Sequence, residues 1–323
     1  MGDQPRPKST EKSGRATVSW DTGLSARPDN VRLVRGFMST DPLVPSTIIV
    51  GEGMIGSAVA ARIRRRPHYE EWSRPTDWSA PASLGADLAS TLADGPPPQS
   101  LAIIWAAGRA DMKSELDEQA AVDSFRHAVS GVLAASTAVA PTRIHLISSA
   151  GALGSPFESN RFELVDSPYR RLKLNEETTL QELHDDVRIH RVSSVYAAPR
   201  ASARAGVVGL LVANSLRAVE TPLFARTVTM RNYLHADDVA EALARAVAEP
   251  DASPTLIAAR RSHAMNEVVA TVRNVVRRPV PINYRPPVND HDMVFDARAV
   301  STLVPQRSLS AGVRLVYDDI VGR

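Results

Sequence analysis

The chain has 323 residues, of which 43% are hydrophobic and 23% charged, with a formal net charge of +2. That is enough apolar material for one large domain or two modest ones, and it excludes a wholly disordered chain, a collagen-like repeat and a disulfide scaffold. The absence of cysteine excludes disulfides, thiolate zinc sites, iron–sulfur clusters and cysteine nucleophiles, and suits a reducing cytosol.

Residues 1–45 are polar, carry Pro5, Pro7, Pro28, Pro42 and Pro45, and show no sustained period, so they read as a flexible tail. Met38 stands just ahead of the first strand signal, which makes a start of translation there an alternative; the N-terminal residue of the native protein decides it. The N-terminus lacks a charged-then-apolar leader, and Asp3, Glu11, Asp21 and Asp29 argue against a transit peptide. The longest apolar run, Leu101 to Ala107, is far short of the roughly 20 residues that cross a bilayer. The 38 basic and 36 acidic residues are scattered, so neither a membrane nor a nucleic acid is an expected partner, and a cytoplasmic location is expected.

From Ser46 onward the pattern becomes strand, glycine turn and helix. Thr47 to Val50 is a short apolar strand, and Ser57 to Arg66 has helical composition. Leu101 to Trp105 and Ile144 to Ile147 are further strands, separated by a helical stretch from about Glu115 to Ala138, and Val187 to Val192 follows another helix. Strands alternating with helices predict an α/β protein with a Rossmann-type, doubly wound parallel sheet covered on both faces. After about Tyr196 the alternation loosens, with helices at Ala236 to Glu249 and Met265 to Arg277. The expected organisation is a tail over 1–45, a dinucleotide-binding domain over 46–195 and a smaller substrate lobe over 196–323. Ligands of open parallel sheets bind at the carboxyl ends of the strands, so motifs there weigh most.

Gly51-Glu-Gly53-Met54-Ile55-Gly56 directly follows a strand and opens a helix, the context in which this spacing binds a pyrophosphate. Gly51 permits a tight turn, Gly53 lets the phosphates approach the backbone, and Gly56 allows close packing of the helix, whose N-terminus carries partial positive charge. A purely structural glycine turn is the alternative, and Glu52 is an awkward neighbour for a phosphate unless it points away. About 20 positions on, where an acid would bind the ribose of NAD, the chain reads Glu71-Trp72-Ser73-Arg74. Ser73 and Arg74 suit a 2′-phosphate, so NADP(H) is favoured with NAD(H) open; Glu70 or Glu71 takes the acidic role if the register slips.

Tyr169 and Lys173 lie one helical turn apart behind a start signal, with Ser167 as cap and Pro168 at the first position. An ammonium and a helix N-terminus both favour phenolate, which suits Tyr169 to general acid/base work. Only four of the 38 basic residues are Lys, yet one stands here; a surface Tyr/Lys pair is the alternative. Ser149 ends the strand Ile144 to Ile147, within Ser148-Ser149-Ala-Gly-Ala-Leu-Gly154, where its hydroxyl can hydrogen-bond a substrate oxygen. His127 and His145 read as packed core histidines, and no metal-spaced cluster is present, so no metal is assigned.

Together these residues resemble an extended short-chain dehydrogenase/reductase of the NAD(P)-dependent sugar epimerase/dehydratase family. The resemblance runs from about Thr47 to Ile320, through the glycine turn, Ala106-Ala107-Gly108, Ser149, Tyr169 with Lys173, the Arg231 to Asp238 segment (Arg-Asn-Tyr-Leu-His-Ala-Asp-Asp), and Leu309 to Gly312. It implies Ser149, Tyr169 and Lys173 as catalytic residues, Lys173 also holding the nicotinamide ribose, and Arg231 facing a substrate diphosphate; a lobe-bridging ion pair is the alternative for Arg231. Extended members carry one more residue in the glycine turn. Ala128 stands where the family has Asn, and Ser194-Val-Tyr-Ala-Ala198 replaces the usual Asn-Val-Tyr-Gly-Pro. The expected activity is hydride transfer at a carbonyl or alcohol of a nucleotide sugar or similar metabolite, as a 4-keto-sugar reductase. A 4-epimerase with tightly bound NAD, or a non-catalytic cofactor sensor, is the alternative. A homodimer stays open.

Overall fold

The structure, a computed structural model, describes residues 31–77, 83–94, 97–108, 117–152, 167–200, 205–248, 255–286 and 292–322, without the side chains of 31–33, 75–77 and 152. Its first half runs β1 (Val31–Ser39), β2 (Ser46–Val50), α1 (Met54–Arg64), β3 (Tyr69–Asp77), α2 (Ser83–Ala93), β4 (Leu101–Trp105), α3 (Glu118–Thr137), β5 (Thr142–Ser149), α4 (Pro168–Leu183) and β6 (Val187–Val192). Then come β7 (Ser194–Tyr196), α5 (Gly206–Arg217), β8 (Thr221–Leu223), β9 (Met230–Arg231), β10 (Tyr233–His235), α6 (Ala236–Ala246), β11 (Thr255–Ile257), β12 (His263–Ala264), α7 (Met265–Val276), β13 (Ile282–Tyr284) and α8 (Leu309–Val321).

Seven strands form one sheet in the order β11-β6-β5-β4-β2-β1-β3, and every pair from β2 to β11 is parallel. The runs Ile48 to Val50 and Ile103 to Trp105 are apolar without alternation because both faces of these strands are covered. One face packs Ile48, Val50, Ile103 and Trp105 against Leu84 and Leu88 of α2 and Phe125, Val129 and Val132 of α3. The other packs Ile49 and Ile104 against Val59 and Ile63 of α1 and Val239 and Leu243 of α6. A third core joins α5, α7 and α8 through Leu211, Val272 and Val313. β11 belongs to this first sheet and α6 packs on it, although both come from beyond residue 196, because α6 carries the chain back over the sheet to pair β11 beside β6.

The tail reading is corrected over 31–39. β1 is inserted antiparallel between β2 and β3, with Val34 opposite Val50 and Phe37 opposite Thr47 on one side, and Gly36 opposite Trp72 on the other. Val34 enters the α2/α3 core and Phe37 the α1/α6 core, both buried. Between them lie Arg35 and Gly36, which hide the strand period. Their reason is cross-strand: the Trp72 indole occupies the space that a side chain at Gly36 would need, and Arg35 meets carboxylates of β3 and the glycine turn. Residues 1–30 lie outside the described residues.

His145 of β5 is fully buried, as read, whereas His127 is exposed on the polar face of α3. The His145 and His190 rings stack with centroids 5.3 Å apart, His145 Nδ1 is 3.0 Å from His190 Nε2, and His190 Nδ1 is 2.7 Å from Thr255 Oγ1 of β11. Burial holds His190 at about 4 and His145 well below its usual range, with Arg143 and Arg188 adding to the effect on His145. Both are therefore neutral in the fold, while the unfolded chain takes up their protons below about 6.5. Stability is expected to be flat above that pH and to fall progressively as pH drops toward 4; urea midpoints across this window check it, and His145→Phe should flatten the slope.

Among the described residues no helix is long and apolar enough to cross a membrane.

Candidate active site

The glycine turn sits at the carboxyl end of β2. Gly51 has φ +99, and a Cβ added there would lie 2.6 Å from the Ala107 backbone, so only glycine permits both the turn and the contact with the segment after β4. A Cβ on Gly56 would meet the Gly51 carbonyl, whereas Gly53 has open space beside it. Gly53 caps α1 without a side-chain hydrogen bond, and the half-buried Met54 and Ile55 begin the helix. A turn closed at its two ends and open in the middle, at an uncapped helix N-terminus, fits a pyrophosphate.

Ala106 donates its N–H to the Val50 carbonyl at 2.8 Å, tying the β4 end to the turn. Two residues on, a Cβ added to Gly108 would lie 3.6 Å from Lys173 Nζ, so β4 and α4 converge there. Helix α4 begins as its sequence dictates: Ser167 Oγ accepts from the Arg170 N–H at 3.2 Å and Pro168 takes the first position. Tyr169 is half-buried in the first turn. Lys173 is buried, and its Nζ donates to Glu176 Oε2 at 2.6 Å. Burial lowers the pKa of Lys173, but Glu176, Tyr169 and Glu177 outweigh it and keep the ammonium charged. Ser149 Oγ accepts from the Gly151 N–H at 3.1 Å, which leaves its own proton to donate. Gly154 lies outside the described residues.

Sequence reasoning missed the support beneath these groups. Ser148 Oγ donates to Glu177 Oε1 at 2.5 Å, and Arg191 of β6 holds the same carboxylate through Nε at 3.1 Å and Nη2 at 2.6 Å. Glu176 and Glu177 stand three and four residues after Lys173, on its face of the helix, a spacing that the sequence displays.

Ser73 and Arg74 are not next to the glycine turn, because β1 stands between β3 and β2. Arg74 pairs with Val34 on the α2 side of the sheet, where its Nη2 is 3.9 Å from Asp94 Oδ2, and both groups are exposed. The neighbour of the turn is Arg35, which donates through Nε to Glu52 and through Nη1 to Glu71 Oε1 at 2.6 Å. Arg64 also holds Glu71, at 2.6 and 2.5 Å, and these bonds keep that carboxyl at about 2. Glu52 is thereby drawn to β1.

Arg231 stands in the two-stranded ribbon β9–β12 opposite His263, and its Nη1 donates to the Met230 carbonyl at 3.2 Å. In the same motif Asp238, buried at the start of α6, accepts from Arg307 Nε at 3.1 and 3.0 Å and from Nη2 at 2.8 Å. That pair ties α6 to the segment leading into α8, and it was not read from the sequence. Among the described residues no cluster of His, Asp and Glu could hold a metal ion.

The sheet is Rossmann-type, and with the family match over residues 47–258 it places the chain among the NAD-dependent enzymes of the short-chain dehydrogenase/reductase type. Residues 47–258 match the NAD dependent epimerase/dehydratase family, and the chain belongs to it. Three solved structures share the fold. UDP-glucose 4-epimerase from Thermotoga maritima has TM-score 0.61 and 18% identity, over 75% of this chain and 84% of that one. UDP-glucuronic acid 4-epimerase from Bacillus cereus, in complex with UDP-glucuronic acid and NAD, has TM-score 0.59 and 19% identity, over 73% and 78%. A protein described as a putative epimerase from Burkholderia cenocepacia has TM-score 0.64 and 18% identity, over 85% and 97%. No curated protein matches the chain in sequence.

Proposed function

We propose that the chain moves a hydride at a carbinol or carbonyl carbon of a nucleotide sugar, acting as a 4-keto-sugar reductase. The observation that carries the reading is the convergence of the glycine turn, the Ala106–Gly108 segment and the buried Lys173 one helical turn from Tyr169. A bound nicotinamide dinucleotide supplies the hydride. Tyr169 exchanges the proton at the substrate oxygen, and Ser149 donates a hydrogen bond to that oxygen. Lys173, held charged by Glu176, has two further N–H donors for the nicotinamide ribose.

The second reading, 4-epimerisation, uses the same proton and hydride transfer in both directions and is favoured by the activities named for the Thermotoga and Bacillus relatives. The test offers UDP- and dTDP-linked hexoses and their 4-keto forms. Consumption of reduced cofactor with the 4-keto compounds supports the reductase, and interconversion of hexoses without net cofactor change supports the epimerase. Neither activity would refute both.

Arg231 is proposed to meet the substrate diphosphate, which a guanidinium can grip through two oxygens. Arg231→Ala is expected to raise KM for a nucleotide-linked substrate by about tenfold or more, consistent with charge-assisted bonds of about 1.5–3 kcal/mol, and to spare cofactor affinity. A fall in Tm with unchanged KM would return Arg231 to a structural role.

A further inference from the structure

We propose that this chain reads the adenosine ribose with Glu52, clamped by Arg35 of the inserted strand β1, and so takes NAD(H) in preference to NADP(H). The inference rests on the dinucleotide reading of the glycine turn. In a doubly wound sheet the strand beside the nucleotide strand, on the side away from β4, ordinarily presents the ribose-reading residue at its carboxyl end. Here β1 occupies that place and runs the other way, with Val34 opposite Val50 and Arg35 opposite Ile49. The sequence position some 20 residues past the turn has been moved one strand outward, taking Ser73 and Arg74 with it.

Among the described side chains, the acid beside the turn is Glu52. Glu52 lies between Gly51 and Gly53, its side chain 20% exposed, and Arg35 fixes it toward β1, which resolves how a carboxylate can sit in a phosphate-binding turn. Arg35 and Arg64 face Glu52 and Glu71, two cations against two anions, so each guanidinium in this cluster is already committed to a carboxylate. A ribose 2′-hydroxyl can donate to a carboxylate held this way. A 2′-phosphate would bring like charge against it.

The test measures dissociation constants of NADH and NADPH for the full chain by fluorescence, with Tm recorded for each variant. The unmodified protein is expected to favour NADH by about tenfold or more, a gap that narrows with added salt because it is set by charge repulsion near the surface. Glu52→Gln is expected to bring the two within about threefold by tightening NADPH, at unchanged Tm, while Arg74→Ala leaves the ratio as it was. Equal or tighter NADPH binding in the unmodified protein, a salt-independent gap, or a selective loss of NADPH affinity in Arg74→Ala would overturn the inference while leaving the turn a dinucleotide site. If neither cofactor binds, the reading of the turn fails and the inference falls with it. The salt dependence of the unmodified protein decides the matter even if Glu52→Gln does not fold.

Discussion

Tyr169→Phe is expected to lower turnover by about 10² or more while cofactor binding survives, because the substitution removes one hydroxyl and nothing that the fold uses. Tyr169 lies in the first turn of α4, half-buried, and the helix start depends on Ser167 and Pro168 rather than on the phenol. The loss should therefore fall on kcat, with Tm unchanged. Lys173→Arg tests the other member of the pair. Its Nζ sits 2.6 Å from Glu176 in a buried site beside Gly108, where a planar guanidinium has neither the room nor the compact charge, so activity should again fall. Steady-state rates with cofactor titrations check both, and full turnover in Tyr169→Phe would remove the phenol from the chemistry.

A chain beginning at Met38 is expected to lose most or all of its cooperative unfolding transition, whereas one lacking only residues 1–30 keeps it. The first deletion removes Val34 and Phe37, buried at 4% and 0% exposure. Each contributes about 1.5–3 kcal/mol by burial. It also strips the β1 ladder from β2 and leaves β3, which among the described residues pairs only with β1, without that neighbour in the sheet. Against a total stability of about 5–15 kcal/mol these losses are decisive. Thermal melts followed by circular dichroism distinguish the two deletions. An unchanged Tm in the chain from Met38 would mean that β3, already running parallel to β2, had moved in to replace β1. Ser73 and Arg74 would then stand beside the glycine turn, and NADPH binding should improve in the same sample.

The parts of the fold that were legible from sequence are those coded locally. Leu101–Trp105 and Val187–Val192 are strands with the expected bounds, since an apolar run between polar turns needs no distant partner to be recognised. The start of α4 was equally plain, because Ser167 and Pro168 act within one turn. β1 was not legible. Its inward residues, Val34 and Phe37, point to opposite faces of the sheet, and Arg35 and Gly36 make sense only once Glu52, Glu71 and Trp72 are across from them. The same holds for the cofactor residues: spacing along the chain put Ser73 and Arg74 near the turn, and the strand just ahead of β2 in sequence displaced them. The partners of Lys173 lay in plain view as adjacent glutamates, but which of them would turn to the lysine and which to Ser148 and Arg191 depended on β5 and β6.

The direction of β1 also decides which end of the molecule is safe to handle. Because β1 runs against β2, residue 31 enters the sheet at the end that carries Gly51, at the rim of the proposed cofactor site. A purification handle or fluorescent reporter fused to the amino end is thus tethered to that rim by residues 1–30. Fused after α8, which packs on α5 and α7 in the third core, the same handle is joined to a part of the fold that holds neither the glycine turn nor Lys173.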